Sequence, residues 1–250
     1  MMRGILILTL ALGLVAAPVL AADPLSLSAL SSSTDPAGNT TYSLSLQILA
    51  LMTAITVLPS IVLGMTAFTR IIIVLSILRQ ALGTQQTPPN QVLIAIALFL
   101  TATVMQPTFA KIYDQSLSPY LAETMDAEEA LNIGGAIMKD FMVINTRKDS
   151  LIMFSDLSNS EPFMSNADIP YSVILPAFIT SELKTAFQIG FLIFLPFLVI
   201  DMVISSILMS LGMMMLSPML ISLPFKLLLF VLVDGWSMMS ASLVSTFVTP

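Results

Sequence analysis

Four long apolar blocks dominate this chain and leave few folds open to it. The first covers residues 44–69 and the second residues 91–110, neither holding a charged side chain. The third, residues 185–211, is interrupted only by Asp201, and the fourth, residues 219–248, holds Lys226 and Asp234. About 20 apolar residues in a helix cross the hydrocarbon core of a bilayer. In hydrocarbon every backbone N–H and C=O must find a partner inside the protein, which a helix supplies within one segment. The expected fold is therefore all-α: about four long apolar helices in hairpins, with a helical extramembrane segment. Composition agrees. The chain is 56% hydrophobic and 10% charged, with mean hydropathy +0.95. A soluble domain carries about 25% charged residues, so a chain this poor in charge needs lipid or neighbouring subunits to cover its surface.

Several function classes fall away at once. The 250 residues include no Cys and no His, and the formal net charge is -6. Without His or Cys there is no ordinary structural zinc site, no His- or Cys-ligated haem and no His-based triad. A nucleic-acid partner needs clustered Lys and Arg to neutralise phosphates, and this balance is acidic. No catalytic residue, metal site or cofactor is expected, and the chain is not read as an enzyme.

The N-terminus has the three parts of a secretory signal: Arg3, an apolar core, and small residues at Ala21 and Ala22 after the break at Pro18. The expected division is a cleaved signal over 1–22 and a Ser/Thr/Pro-rich flexible tail over 23–43. A first helical hairpin then covers 44–110, an acidic segment 111–184 and a second hairpin 185–250. From Lys111 to Glu182 there are eleven acids against four bases, and residues 127–143 have helical spacing. Pro162, Pro170 and Pro176 punctuate the return to the membrane. Cleavage puts the mature N-terminus outside. The stretch after the first block, with Arg70 and Arg79 and no acid, then faces the cytoplasm, as the positive-inside rule asks. The acidic segment is periplasmic.

Charges inside apolar blocks are costly, and each marks a candidate site. Asp201 and Asp234 are such intramembrane charges. Glu182 and Lys226 are paired here as the acid at the start of the third block and the base of the fourth. Asp201 and Lys226 also fit either a structural role, as ion pair or helix cap, or direct handling of ions. Gly83 and the Pro88–Pro89 pair mark a turn between the first two blocks. Met213, Met214 and Met215 lie between Gly212 and Pro218. Three successive Met cannot share one helix face. They serve either as apolar filler or as a soft gasket that repacks around cargo.

Two long strings carry a resemblance: FTRIIIVLSILRQALGTQQTPPNQVLIAIALFLT from Phe68, and FQIGFLIFLPFLVIDMVISSILMSLGMMMLSPMLISLPFKLLLFVLVDGW from Phe187. They resemble the FliP family of flagellar type III export proteins, whose injectisome relatives are close. The resemblance covers about 49–249, and the signal sequence favours the flagellar branch. It implies a core subunit of an export gate in the bacterial inner membrane, within the flagellar basal body. It further implies self-association in about five copies, partnership with FliQ-like and FliR-like subunits and the rest of the apparatus, and passage of unfolded flagellar substrates. It also implies that the assembled complex sits largely above the membrane plane. An injectisome gate subunit is the alternative, and a small ion channel or secondary transporter a more distant one.

Overall fold

The computed structural model describes residues 33–34, 40–41, 44–84, 86–158, 163, 165–213 and 216–248. The signal segment 1–22 and most of the tail 23–43 lie outside the described residues. The chain divides into two units, Met1–Pro59 and Ser60–Pro250. In the first, β1 (Ser33–Thr34) pairs antiparallel with β2 (Thr40–Thr41), Ser33 facing Thr41 and Thr34 facing Thr40. Helix α1 (Leu44–Gly64) starts in the first unit and ends in the second.

All other described elements are helical. They are α2 (Phe68–Ala81), α3 (Asn90–Ile112), a π-helical turn (Tyr113–Leu117), α4 (Ser118–Leu121), α5 (Ala127–Asn145) and α6 (Lys148–Leu157). A 3₁₀ turn (Asn166–Asp168) follows, then α7 (Tyr171–Ser210), α8 (Pro218–Leu232) and α9 (Gly235–Ser245). The fold is all-α, as the apolar blocks require. By length and composition two helical stretches, Asn90–Leu121 and Tyr171–Ser210, are able to cross a membrane. The number rises to four if each of two broken helix pairs forms one span.

The blocks do not map one to one onto helices. The first breaks at residues 65–67. The fourth breaks at Val233–Asp234 with a 65° bend between α8 and α9, where Asp234 has φ 48° and stands exposed. The third helix starts earlier than its block: α7 begins at Tyr171, inside the segment assigned to the acidic region. Pro170 sits at its N-cap, while Pro176 lies within the helix. Val173, Ile174, Ala177 and Phe178 on either side of Pro176 are all fully buried. Their burial outweighs the one backbone hydrogen bond that proline removes. At 1.5 Å per residue this helix is about 60 Å long, twice the roughly 30 Å of a hydrocarbon core.

The core of the second unit forms around α2, which packs against α7 and α3. Ile71, Val74, Leu75 and Leu78 give α2 one continuous buried face at helical spacing. Leu93, Ala97, Val104 and Met105 of α3 and Phe141 and Met142 of α5 meet it in the same cluster. Phe141 stands edge-on to Phe178 at 6.1 Å and stacks on Phe247 at 6.5 Å. Helix α5 covers the stretch expected from its periodicity. It starts at Asp126, whose carboxylate accepts the backbone N–H of Glu129 at 2.7 Å. Glu128 and Glu129 in the first turn suit the positive end of the helix dipole.

The α2–α7 crossing is close because α7 presents Gly190. A Cβ there would stand 2.4 Å from Ile77 Cδ1 and 3.0 Å from Ile77 Cγ2. Gly190→Ala is expected to lower stability by about 1–2 kcal/mol, as overpacking outweighs the gain in helix propensity. Adding Ile77→Ala should recover part of that loss. Thermal unfolding of the detergent-purified chain measures both, and an unchanged midpoint for Gly190→Ala would contradict the close approach.

Candidate functional site

Two buried cations organise the second unit, and each does two jobs. Arg70 lies in the first turn of α2 on the same face as Ile71 and Val74, and is 3% exposed. Its Nε donates to Glu182 Oε2 at 2.8 Å and its Nη2 to Glu182 Oε1 at 2.5 Å, a two-pronged match of guanidinium to carboxylate. Nη1 donates to Thr246 O at 3.0 Å and is 3.1 Å from Thr246 Oγ1. Phe247 stacks beneath the guanidinium, 3.8 Å from ring centroid to Cζ. Thr246 is the C-cap of α9. Arg70 thus ties α2 to α7 and also satisfies a carbonyl at the end of α9. The chain end is held a second time, because Asn145 exchanges two hydrogen bonds with the backbone of Val248, at 2.9 and 3.0 Å.

Lys226 repeats the scheme at a different level. It sits on the buried face of α8, between Ser222 one turn before and Phe230 one turn after, and is 3% exposed. Nζ donates to Asp201 Oδ2 on α7 at 2.7 Å and to Ala81 O, in the last turn of α2, at 3.1 Å. Ser222 Oγ donates to Asp201 Oδ1 at 2.5 Å. A cation at the carbonyl end of α2 complements the helix dipole. Helix α7 therefore carries both carboxylates, and α2 and α8 each bring a cation to it.

The pairing expected between Glu182 and Lys226 is not the one formed. Each has a different partner within the chain. Glu182 and Asp201 are 19 positions apart on one unbroken helix, about 28 Å along its axis, so a lysine bonded to Asp201 cannot reach Glu182. Lys184, the other base near Glu182, is exposed and does not bond it. Arg70 does not belong to a loop facing the cytoplasm either, since it is buried inside α2. The positive-inside rule drew it outward as a topology signal, whereas its spacing from Ala67, Ile71 and Val74 marks it as a core position. That spacing was the available clue to the true partner of Glu182. Asp201 is paired and part-buried, while Asp234 forms the exposed α8–α9 corner.

Arg79, at the end of α2, does meet the turn that follows. Its Nη1 donates to Pro88 O at 3.2 Å and to Asn90 Oδ1 at 2.6 Å. Gly83 has φ 79°, and Pro89 stands at the N-cap of α3. Arg79, Lys226 and the two prolines thus hold the α2–α3 joint.

The methionine string follows a well-defined helix end. Gly212 has φ 71°, a value open to glycine. Met213 N–H bonds Leu208 O at 3.0 Å and Gly212 N–H bonds Met209 O at 3.1 Å, the paired closing bonds of a Schellman turn. Met213 emerges from this turn 45% exposed. Met214 and Met215 lie outside the described residues, and Ser217–Pro218 opens α8.

Comparison with known proteins agrees with the sequence strings. A model of the FliP family matches residues 51–243. The chain is 71% identical over 214 residues to the flagellar biosynthetic protein FliP of Cereibacter sphaeroides, an alignment covering 86% of this chain and 71% of that protein. It is 50% identical over 216 residues to the protein of the same name from Bacillus subtilis, covering 86% of this chain and 96% of that one. With the protein of that name from Buchnera aphidicola (subsp. Acyrthosiphon pisum) it shares 52% identity over 212 residues, covering 85% of this chain and 56% of the other. The chain belongs to the FliP family.

Proposed function

We propose that this chain is a core subunit of the flagellar type III protein-export gate and takes part in forming the channel for unfolded flagellar proteins at the inner membrane. The observation that carries the proposal is the 71% identity to a flagellar biosynthetic protein, over an alignment covering 86% of this chain. In this reading the chain spans the inner membrane more than once with its mature N-terminus in the periplasm. It assembles in several copies, about five, with FliQ-like and FliR-like subunits, and it works without catalysis or cofactor. The exposed apolar surface of α1 supports a role in assembly: Leu51, Met52, Ile55 and Leu58 are each 60% exposed or more. Such a surface needs lipid or protein to cover it.

Met213, Met214 and Met215 form the gasket of that channel. Several copies of these apolar side chains around an axis exclude water when the channel is empty, since a narrow hydrophobic constriction gates by dewetting. They also yield to varied cargo without a specific site. Replacing all three with Ala is expected to raise the entry of small ions or dyes into cells, with secretion of flagellar subunits less affected. The measurement compares dye entry in variant and wild-type cells at matched levels of assembled complex. Unchanged permeability would return these residues to the role of packing filler.

A further inference from the structure

An apolar hollow opens in the polar segment 111–184. The π-helical turn, α4 and the first half of α5 enclose about 490 Å³, lined by Ile112, Leu117, Tyr120, Leu131, Gly134 and Gly135 among others. Two hydrogen bonds fix its walls. Ser116 Oγ donates to Ala130 O at 2.6 Å, and Tyr171 Oη donates to Gly135 O at 2.7 Å. A Cβ on Gly134 would stand 3.3 Å from Ser116 Oγ, and one on Gly135 2.9 Å from Tyr171 Oη. The two glycines thus permit close helix contact and leave bare backbone along the hollow. Turns of π-helix are rare and recur at functional sites, and this one carries Ser116 to α5.

Large side chains of the lining stand out into solvent. Leu131 is 76% exposed, and Leu117 and Tyr120 are 44% each. Apolar side chains gathered at the surface of a polar segment mark a binding site. The charge around them has one sign. Residues 112–135, which supply every lining residue, hold Asp114, Glu123, Asp126, Glu128 and Glu129 and no Lys or Arg. Glu128 is one helical turn before Leu131 and neighbours it on α5, and Glu123 follows Tyr120 by three residues. Both carboxylates are on exposed residues.

We propose that this hollow takes the apolar face of an amphipathic helix from another protein, one that carries Lys or Arg beside that face. Apolar side chains of the helix fill the hollow and cover Leu117, Tyr120 and Leu131, which a small molecule seated inside would leave bare. The flanking bases face an acidic stretch that holds no base of its own, so charge selects the partner. A second copy of this chain fits poorly, because none of its described helices carries two exposed bases. The proposal rests neither on the gate reading nor on where the bilayer lies.

The test places the photo-crosslinking residue p-benzoylphenylalanine at position 131 of the full chain in its native cells and sequences the captured peptide by mass spectrometry. The control carries it at position 140, where exposed Asp140 lies on the opposite face of α5 by helical spacing. The expected capture is strong at 131 and weak at 140. The peptide should come from another protein, with apolar residues at three- and four-residue steps and more bases than acids. Adding Glu123→Gln with Glu128→Gln, both at exposed positions, should lower the yield about fivefold. Ala127→Phe, at an exposed position lining the hollow, should fill it and abolish capture. Equal yield at 131 and 140 would overturn the proposal, as would capture of a second copy of this chain or of a peptide without net positive charge. A yield unchanged by the Glu variants would overturn it too. Secretion is not the readout, so failure here leaves the gate reading untouched.

Discussion

Arg70→Met is expected to be among the most damaging single substitutions in this chain, lowering stability by about 3–5 kcal/mol. The loss is large because of what stays behind. Glu182 is fully buried, and without Arg70 its carboxylate keeps no ion-pair partner among the described residues. Thr246 loses its donor in the same step, so the end of α9 comes loose with the pair. Arg70→Lys should recover less than half of the loss, because an ammonium cannot make the parallel bonds to both carboxylate oxygens and still reach Thr246. The decisive variant is the double one. Arg70→Met with Glu182→Met removes both charges, and replacing a whole buried pair with apolar side chains is often nearly neutral. Thermal unfolding of the purified chain, read as a double-mutant cycle, should give a coupling of several kcal/mol. If the double variant is as unstable as the sum of the singles, the two residues are not a pair.

The second pair should respond unequally to loss of its two members. Asp201→Leu leaves Lys226 buried with Ala81 O as its one remaining acceptor among the described residues, at an expected cost of about 2–3 kcal/mol. That is below the range for a fully dry pair, because the Asp201 side chain is 33% exposed. Lys226→Met leaves Asp201 part-exposed and still bonded to Ser222, so it should cost less. Loss of the cation at the C-terminus of α2 should also loosen the joint toward Pro88 and Pro89. This joint effect is readable as faster amide exchange over residues 79–90. The same geometry predicts that exchanging charges between Glu182 and Lys226 gives no rescue. Each reversed charge would face the unchanged partner of its own pair, Arg70 or Asp201. Rescue by that exchange would contradict the pairing described here.

The internal charges divide what the sequence and the structure each settled. Hydrophobic runs are a local property, so the all-helical class was legible from them before any contact was known. The same holds for α5, whose Asp126 cap and helical spacing lie within one short stretch, and for the turns at Gly83 and Gly212, where a glycine ends a helix by its own backbone freedom. Family membership was also legible, because it rests on the order of residues alone. The expensive charges were identified as candidates for the same reason: their cost depends only on the apolar residues around them.

Which charge meets which was not legible. Partners on different helices are fixed by how far each helix extends, and α7 runs unbroken from Tyr171 through Pro176, where sequence alone suggested a boundary. That extra length separates Glu182 from Asp201 by more than five turns and gives each its own cation. The buried position of Arg70 was hidden by the same limit. A charged residue at the edge of an apolar block satisfies a topology rule as well as a core role, and only packing against α7 and the end of α9 selects between them. Sequence determined the all-helical class and the residues too costly to leave unpaired; tertiary packing, through helix length and the close contact at Gly190, decided the pairs.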